Sequence, residues 1–232
     1  MAKDNRLWGA ERIRGELLKL QIRVSKRTIL KYMRKTRSTR SPSQNWRTFL
    51  HNHANNIWAC DFLPVVDLFF GQIHAFFIIE HGSRRVVHFG VTRHPTQEWV
   101  TQQLREATPF EQKPKYLIRD NDAKFGYLFD KVAEESSIKI IKTPIRAPKA
   151  NSLCERFQGS VRRELLDHFF ILNERHLYRI LKEYIQYFNH ERPHQGIEQA
   201  LPVPTAFPPL TKGKIIPFQI LGGLHHSYKR VA

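Results

Sequence analysis

Three acidic residues lie in separate segments of this chain where a folded sheet would point their side chains toward one place. Asp61 interrupts the apolar run 57–66, Asp120 ends the short run 116–120, and Glu155 lies in a stretch with helical spacing. A lone carboxylate among apolar residues is costly unless something pairs with it. Hard cations such as Mg²⁺ take a few carboxylate ligands and complete their shell with water or phosphate oxygens. The three acids therefore predict a divalent-metal site.

Three other acids are weaker candidates for the same chemistry. Asp122 lies two residues after Asp120, but an Asn-Asp pair there is equally typical of a capped turn. Asp67 shares a strand face with Asp61 by the period of two, yet it stands beside a turn, where a solvated Asp is ordinary. Glu80 ends a very apolar strand and stays ambiguous. The first three acids remain the preferred set.

The charge of the chain predicts a polyanionic partner. Lys and Arg number 38 against 21 Asp and Glu, a formal charge of +17, and residues 1–47 alone carry 14 basic and 3 acidic side chains. Nucleic acid is the favoured partner, and an anionic membrane is the competing one. No run approaches the roughly 18 apolar residues of a membrane span, and the first residues lack the apolar segment of a signal peptide. We therefore expect a cytoplasmic protein without membrane association.

Residues 1–36 predict a small helix-turn-helix unit. Apolar residues recur at helical spacing over 10–20, a turn follows at 21–24, and Ser25 is a credible N-cap for a second helix. A basic helix pair that only packs on a neighbour would show the same pattern. Residues 37–47 are typical of a flexible linker. The basic face of the second helix is expected to bind DNA through Lys26, Arg27, Lys31 and Arg34.

From residue 48 the pattern predicts an α/β domain with a mixed five-stranded sheet flanked by helices. The strands are expected at 57–68, 73–80, 85–92, 115–119 and 138–142. The helices are expected at 94–107, 126–136, 149–168 and 173–189. Cys60 and Cys154 offer neither a disulfide framework nor a zinc cluster and are expected to be small buried hydrophobes. The remainder, 208–232, is expected to be a C-terminal tail with no assigned chemistry.

Four motifs then occur in a recognisable order: WACD at 58–61, IRDNDAKF at 118–125, PKANSLCERF at 148–157 and YFNHERPHQG at 187–196. Their order resembles the integrase core of bacterial insertion-sequence transposases and retroviral integrases. The 34 residues between the second Asp and the Glu are close to the spacing typical of that family. The resemblance covers about 48–207, and WGAERIRGEL at 8–17 resembles the helical unit that precedes such cores. It implies a ribonuclease H-like fold preceded by a small helix-turn-helix unit.

The resemblance implies a polynucleotidyl transferase with Asp61, Asp120 and Glu155 as catalytic residues and metal ligands. They would hold two Mg²⁺ ions, replaceable by Mn²⁺, for 3′-end cleavage and strand transfer of an insertion sequence. In a ribonuclease H-like sheet the first and fourth strands are neighbours, so Asp61 and Asp120 can approach each other. Glu155 points away from the apolar stripe of its helix, which begins at Leu153, and can therefore reach the edge of the sheet.

Basic and polar residues around Glu155 are expected to contact DNA: Arg146, Lys149, Asn151 and Arg162. Asn151 and Arg162 share the helical face of Glu155, whereas the other two flank Pro148 in a loop. Plain solvent exposure is the alternative for all four. For the Arg192-Pro-His194 motif we expect packing of a helix end rather than catalysis.

The resemblance also implies a bacterial, nucleoid-associated protein that acts on element ends and target DNA as at least a dimer. Two alternatives stay open. One is a metal-dependent nuclease of similar fold that cuts without joining. The other is a DNA-binding remnant without turnover, because only one pair of helices fits before the core; this leaves room for a truncated frame or a separate upstream helix-turn-helix partner.

Overall fold

The computed structural model describes residues 9–36, 46–109, 112–143, 151–205 and 212–231, without the side chains of 34–36 and 47. Contacts divide the chain into two units, residues 1–49 and 50–232. Each unit builds its own apolar core.

The helices and strands of the described ranges follow the predicted order closely. The helices are α1 (Ala10–Lys19), α2 (Lys26–Thr36), α3 (Trp46–Asn52), α4 (Gln97–Ala107), α5 (Tyr127–Glu135), α6 (Ser152–Glu164) and α7 (Glu174–His190). The strands are β1 (Ile57–Val66), β2 (Gln72–Glu80), β3 (Val86–Thr92), β4 (Tyr116–Arg119), β5 (Lys139–Lys142), β6 (Lys214–Ile220) and β7 (His225–Val231). None of these helices combines the length and apolarity that crossing a bilayer requires.

The first unit pairs α1 with α2. Their contact buries Ile13 against Ile29 and Met33, as the helical spacing predicts. Ser25 accepts a hydrogen bond from the Thr28 N–H at 3.2 Å, which is the predicted N-cap. The opposite face of α2 is exposed and basic.

The second unit is built on a five-stranded sheet in the order β3-β2-β1-β4-β5. β1 runs antiparallel to β2, and β2 antiparallel to β3, so the first three strands form the predicted meander. β4 and β5 follow helices and are parallel to β1 and to each other. The prediction of a mixed, ribonuclease H-like sheet flanked by helices is confirmed.

Side chains of β1 alternate between two packed layers, because successive residues of a strand point to opposite faces. Trp58 and Phe62 belong to the core under α4 and α5. On the other face, Phe77 of β2 contacts Phe157 of α6 with ring centroids 4.9 Å apart. Phe157 in turn contacts Phe188 of α7 at 4.9 Å. The sheet is therefore covered on both faces.

The two cysteines are free and buried, as predicted. Burial raises the pKa of both thiols, and the neighbouring carboxylates add to the effect. A neutral thiol is a weak metal ligand and a weak nucleophile. Cys60 and Cys154 therefore pack as small hydrophobes.

The predicted C-terminal tail differs from the structure. β6 and β7 form an antiparallel hairpin that packs on α7. The Leu221 N–H donates to the Glu183 carboxylate, and the ring of His225 stacks on Tyr187 with centroids 5.1 Å apart. The hairpin is thus part of the second unit.

Arg192 fixes the end of α7 to the end of α6. Its Nε and Nη2 donate to the two oxygens of Glu164 at 2.9 and 2.6 Å, and the Tyr184 hydroxyl donates to the same carboxylate at 2.9 Å. His194 is buried and its Nε2 lies 3.0 Å from the Phe188 carbonyl oxygen. These contacts support packing, rather than catalysis, as the role of the Arg192-Pro-His194 motif.

Arg192→Ala should destabilise the protein by about 2 kcal/mol, since it leaves the largely buried Glu164 carboxylate without its bidentate partner. Urea unfolding followed by circular dichroism measures the change. Lys229→Ala is the matched control, because the Lys229–Glu191 pair has a 54% exposed lysine and should contribute less than about 1 kcal/mol. Equal losses for both variants would contradict this interpretation.

Candidate active site

The register of β1 and β4 places two of the predicted acids at one level. Ala59 pairs with Ile118 in the parallel ladder, so Asp61 and Asp120, each two residues further along, stand side by side beyond it. Alternate residues of a strand point to the same face of the sheet, so the side chains of Asp61 and Asp120 both point to one face. This is the face that α6 covers. Asp61 is mid-strand and largely buried, whereas Asp120 lies just past the end of β4.

Two amide side chains hold α6 against β1 on either side of Asp61. Asn151 Nδ2 donates to the Cys60 carbonyl at 3.3 Å, and Gln158 Nε2 donates to the Phe62 carbonyl at 3.4 Å. Residues 151, 155 and 158 recur at helical spacing of four and three and so share one face of α6. Glu155 therefore lies between the two amides, on the face that meets Asp61.

The pKa of Asp61 depends on its burial and on the charges near it. Burial raises its pKa to about 6; the Phe62 N–H and Gln158 lower it, and the charges of Asp120 and Glu155 raise it further. The Phe62 N–H donates to Asp61 Oδ1 at 2.8 Å. Asp61 is thus close enough to Asp120 and to Glu155 for their charges to oppose its ionisation.

No basic side chain of the described ranges pairs with this group. Among the described residues, none of the three carboxylates forms an ion pair. Arg119 precedes Asp120 but points to the other face of the sheet, where its Nη2 binds Asp130 at 2.6 Å. Asp120 accepts only a local hydrogen bond, from the Asp122 N–H to Oδ1 at 3.1 Å. The negative charge of the site is therefore uncompensated by the chain that the structure describes.

Carboxylate oxygens are the donors that a hard divalent cation requires, so the chemistry of this group fits such an ion. The described ranges contain no three His, Cys, Asp or Glu side chains already gathered around one point. Mg²⁺ does not need three, because it commonly binds one or two carboxylates and completes its shell with water and phosphate oxygens. Asp61 with either neighbour meets that demand.

The other acids have structural roles. Asp122 accepts from the Lys124 N–H at 3.0 Å and pairs with its ammonium at 2.6 Å, as expected for turn chemistry. Asp67 is not solvated, contrary to our expectation, because its carboxylate pairs with Arg93 at 2.5 Å and also caps the following turn. Glu80 accepts from the Ser83 hydroxyl at 2.5 Å.

The predicted DNA contacts of the core differ in their exposure. Asn151 is a correction: its side chain is only 8% exposed and bonded to β1, so it positions α6 and does not face DNA. Arg162 is exposed, with Nη2 3.3 Å from the Pro64 carbonyl, and remains a predicted contact. Arg146 and Lys149 lie outside the described residues.

The predicted contacts on α2 lie in the first unit. Arg27 and Lys31 are exposed, and Lys26 is exposed but 3.2 Å from Glu11. The side chain of Arg34 lies outside the described residues. These positions remain predicted DNA contacts.

Gln158 was missed at the sequence level. The signal that identifies it is its position three residues after Glu155, which places it on the same face of α6. Helical spacing gives the direction of this face but not how deeply it is buried. That depth decides whether the Gln158 amide binds the strand or is exposed to solvent.

Asp61→Asn should stabilise the cation-free protein above pH 6. A carboxyl whose pKa rises from 3.8 when unfolded to about 6 when folded contributes full stability below pH 3.8 and loses it as the pH rises through 6. The neutral amide avoids that loss, a gain of up to about 3 kcal/mol at pH 8 that vanishes near pH 4. Thermal unfolding in EDTA across this range measures the difference.

Asp130→Asn is the control with the opposite sign. Burial acts to raise the pKa of Asp130, but Lys142 and Arg119 outweigh it and lower the pKa. This variant should therefore be less stable than wild type at neutral pH, with the gap closing as the pH falls through the folded pKa. A loss of stability in Asp61→Asn at pH 8 would contradict the repulsion inferred at the site.

Comparisons with known proteins agree with this architecture. Residues 136–202 match the family model described as the integrase core domain. A chain in the cryo-EM structure of the simian T-cell lymphotropic virus intasome, in complex with PP2A regulatory subunit B56 gamma, aligns at 16% identity and a TM-score of 0.57, covering 94% of this chain and 83% of that one. The catalytic domain of Mos1 mariner transposase aligns at 10% identity and a TM-score of 0.52, covering 61% of this chain and 77% of that one.

At these identities the likenesses establish the fold. Together with the observed strand order, they show that the second unit has the ribonuclease H-like fold of integrase and transposase catalytic domains.

Proposed function

We propose that this chain is a DNA polynucleotidyl transferase that cleaves the 3′ end of a mobile element and joins it to target DNA. The proposal is supported by the register that sets Asp61 and Asp120 at one level of adjacent parallel strands, and by the amide contacts that hold the face of α6 with Glu155 against β1. The integrase core match over 136–202 supports the same reaction class.

In this proposal Asp61, Asp120 and Glu155 hold two Mg²⁺ ions, with Mn²⁺ as a substitute. When bound, such ions activate an attacking oxygen and stabilise a leaving oxygen in an in-line displacement at phosphorus. The charge of the acids, which no basic group of the described residues neutralises, supports this assignment, because a site that binds cations needs its carboxylates unpaired.

The chain itself contributes orientation and protonation state. Asn151 and Gln158 fix the depth of α6, so that the face with Glu155 meets β1, and within the described ranges Glu155 has no ion pair that a cation would have to displace. Asp61 must be ionised to act as a ligand. Its pKa is raised to about 6 in the cation-free protein, and a bound cation would lower that pKa by offsetting the cost of ionisation.

DNA is the proposed partner, at both element ends and target. The exposed basic face of α2 supports binding of the phosphate backbone, in keeping with the net charge of +17. The intasome relative is part of a multi-chain assembly. We extend this to a homo-oligomer of the present chain on DNA.

Asp61→Asn, Asp120→Asn and Glu155→Gln should each reduce strand cleavage and strand transfer by at least about 100-fold, because each removes a charged ligand of the reacting centre. DNA affinity measured in EDTA should remain. The assay follows labelled duplexes that carry the element's terminal repeats, in Mg²⁺ or Mn²⁺, with a target duplex present.

Asp122→Asn is the matched control, since Asp122 lies two residues from Asp120 but pairs with Lys124, and its activity should stay within a few-fold of wild type. An Asp61→Asn protein with full strand transfer would refute the assignment. Cleavage without joining would support the nuclease alternative, and DNA binding without turnover would support the remnant.

The basic face of α2 should make DNA binding depend steeply on salt. Because each phosphate contact releases a counterion, Arg27→Ala and Lys31→Ala should each lower the slope of log affinity against log salt by about 1. Fluorescence anisotropy over a salt series gives the slope. Lys19→Ala is the control on α1, where the ammonium already pairs with Glu16 at 2.8 Å, and a drop of the same size there would argue against a specific face.

A further inference from the structure

A cavity of about 130 Å³ lies on the side of α6 that turns away from Asp61, between α6, the end of α7 and the turn after β2. Its polar lining comes from Arg84, Arg156, Ser160, Arg192, His194 and Gln195. The volume exceeds the roughly 30 Å³ that one water takes in the liquid. The cavity can therefore hold a group of several atoms.

Arg84 has the most unusual position in this lining. It adopts φ +68°, a left-handed conformation that L side chains rarely take. Its guanidinium packs on Gly196, where an added Cβ would lie 3.5 Å from Nε. Nη1 is buried and has no hydrogen-bond partner among the described residues. A buried donor without an acceptor is uncommon and calls for an explanation.

The positive charge of the cavity is not balanced by the described part of the chain. Arg192 is neutralised by Glu164, but Arg84 and Arg156 form no ion pair there. Burial and the charge of Arg156 both lower the pKa of Arg84. His81, close by, feels the same field: burial, Arg84 and Arg156 lower its pKa to about 4. An anion in the cavity would offset this local excess.

A larger groove connects the cavity to Glu155, one of the proposed catalytic acids. Arg156 and Ser160 also line this groove of about 600 Å³, which reaches Glu155 at one side and Arg163 at the other. An extended polyanion that lies in this groove would bring a phosphate to the cavity while another part of it lies beside Glu155. A nucleic-acid strand has that regular series of charges.

We propose that Arg84 and Arg156 form an anchoring site for one backbone phosphate of the bound DNA, one step along the strand groove from the catalytic acids. The inference rests on the proposed function for the identity of the ligand as DNA. Guanidinium groups suit this role, because their planar sets of donors match phosphate oxygens and they stay charged when partly buried. The left-handed turn at Arg84 and the packing on Gly196 hold one of the two groups in place before the phosphate arrives.

Two variants of the full chain test the site, each with two readouts in EDTA. Arg84→Gly removes the guanidinium and suits the left-handed backbone, and Arg156→Ala removes the second guanidinium on a helix that favours alanine. Each should weaken binding to duplex DNA about 10-fold at moderate salt and lower the salt slope by about 1. Inorganic phosphate should raise the unfolding temperature of wild type, relative to chloride at equal ionic strength, and this rise should be lost in both variants.

Arg179→Ala, an exposed arginine on α7, is the matched control and should keep both wild-type responses. Unchanged DNA affinity in Arg84→Gly and Arg156→Ala would overturn the proposal, even if free phosphate still binds. Loss of a dimer in the variants, with DNA and phosphate responses intact, would also overturn it and assign the cavity to a protein carboxylate.

These outcomes are separate from the fate of the proposed function. If wild type never cleaves or joins DNA but the two variants lose phosphate and DNA binding, the anchoring site stands and the transferase assignment fails. If Asp61→Asn abolishes turnover while both arginine variants bind DNA like wild type, the reverse holds.

Discussion

The parallel register between β1 and β4 is the constraint on which this site depends. It obliges Asp61 and Asp120 to stand side by side on the face of the sheet that α6 covers. Burial and like charge both oppose ionisation there, which the raised pKa of Asp61 records. A fold selected for stability alone would replace either acid with an apolar residue. Under the proposed function, this repulsion is the metal-free side of an equilibrium that a bound cation would complete.

The contacts that hold the rest of the core together leave these acids without a basic partner among the described residues. Elsewhere the fold joins elements with ion pairs, as in Arg119 with Asp130 and Arg192 with Glu164. At the acids it uses neutral donors instead, because α6 is held by two amides that bind backbone carbonyls, and the Gln158 amide also lowers the pKa of Asp61. An arginine at either amide position would fix the helix equally well but would compete with a cation for Asp61.

Much of this architecture could be predicted from the sequence, and the failures have identifiable causes. Runs of alternating and apolar residues located all five strands of the sheet, and motif order located the acids. Helical spacing gave the direction of Asn151 but not its depth, which depends on how closely the first turn of α6 approaches β1. The burial of Asp67 depends on Arg93, a partner 26 residues away. The hairpin was missed because Pro217 interrupts β6 and both strands are largely exposed, which weakens every strand signal.

One helix carries both unmatched charges of the core. Successive residues of α6 are rotated by about 100°, so Glu155 turns toward β1 while Arg156 turns toward the cavity at Arg84. In the free protein, the negative charge on one side of α6 and the positive charge on the other partly screen each other. A polyanion alone would be attracted by the arginines and repelled by the carboxylates. A cation alone would be attracted by the carboxylates and repelled by the arginines. If the proposed function and the proposed anchoring site both hold, DNA together with divalent metal would match both sides of the helix, and the charge pattern would favour the ternary complex over either partial one.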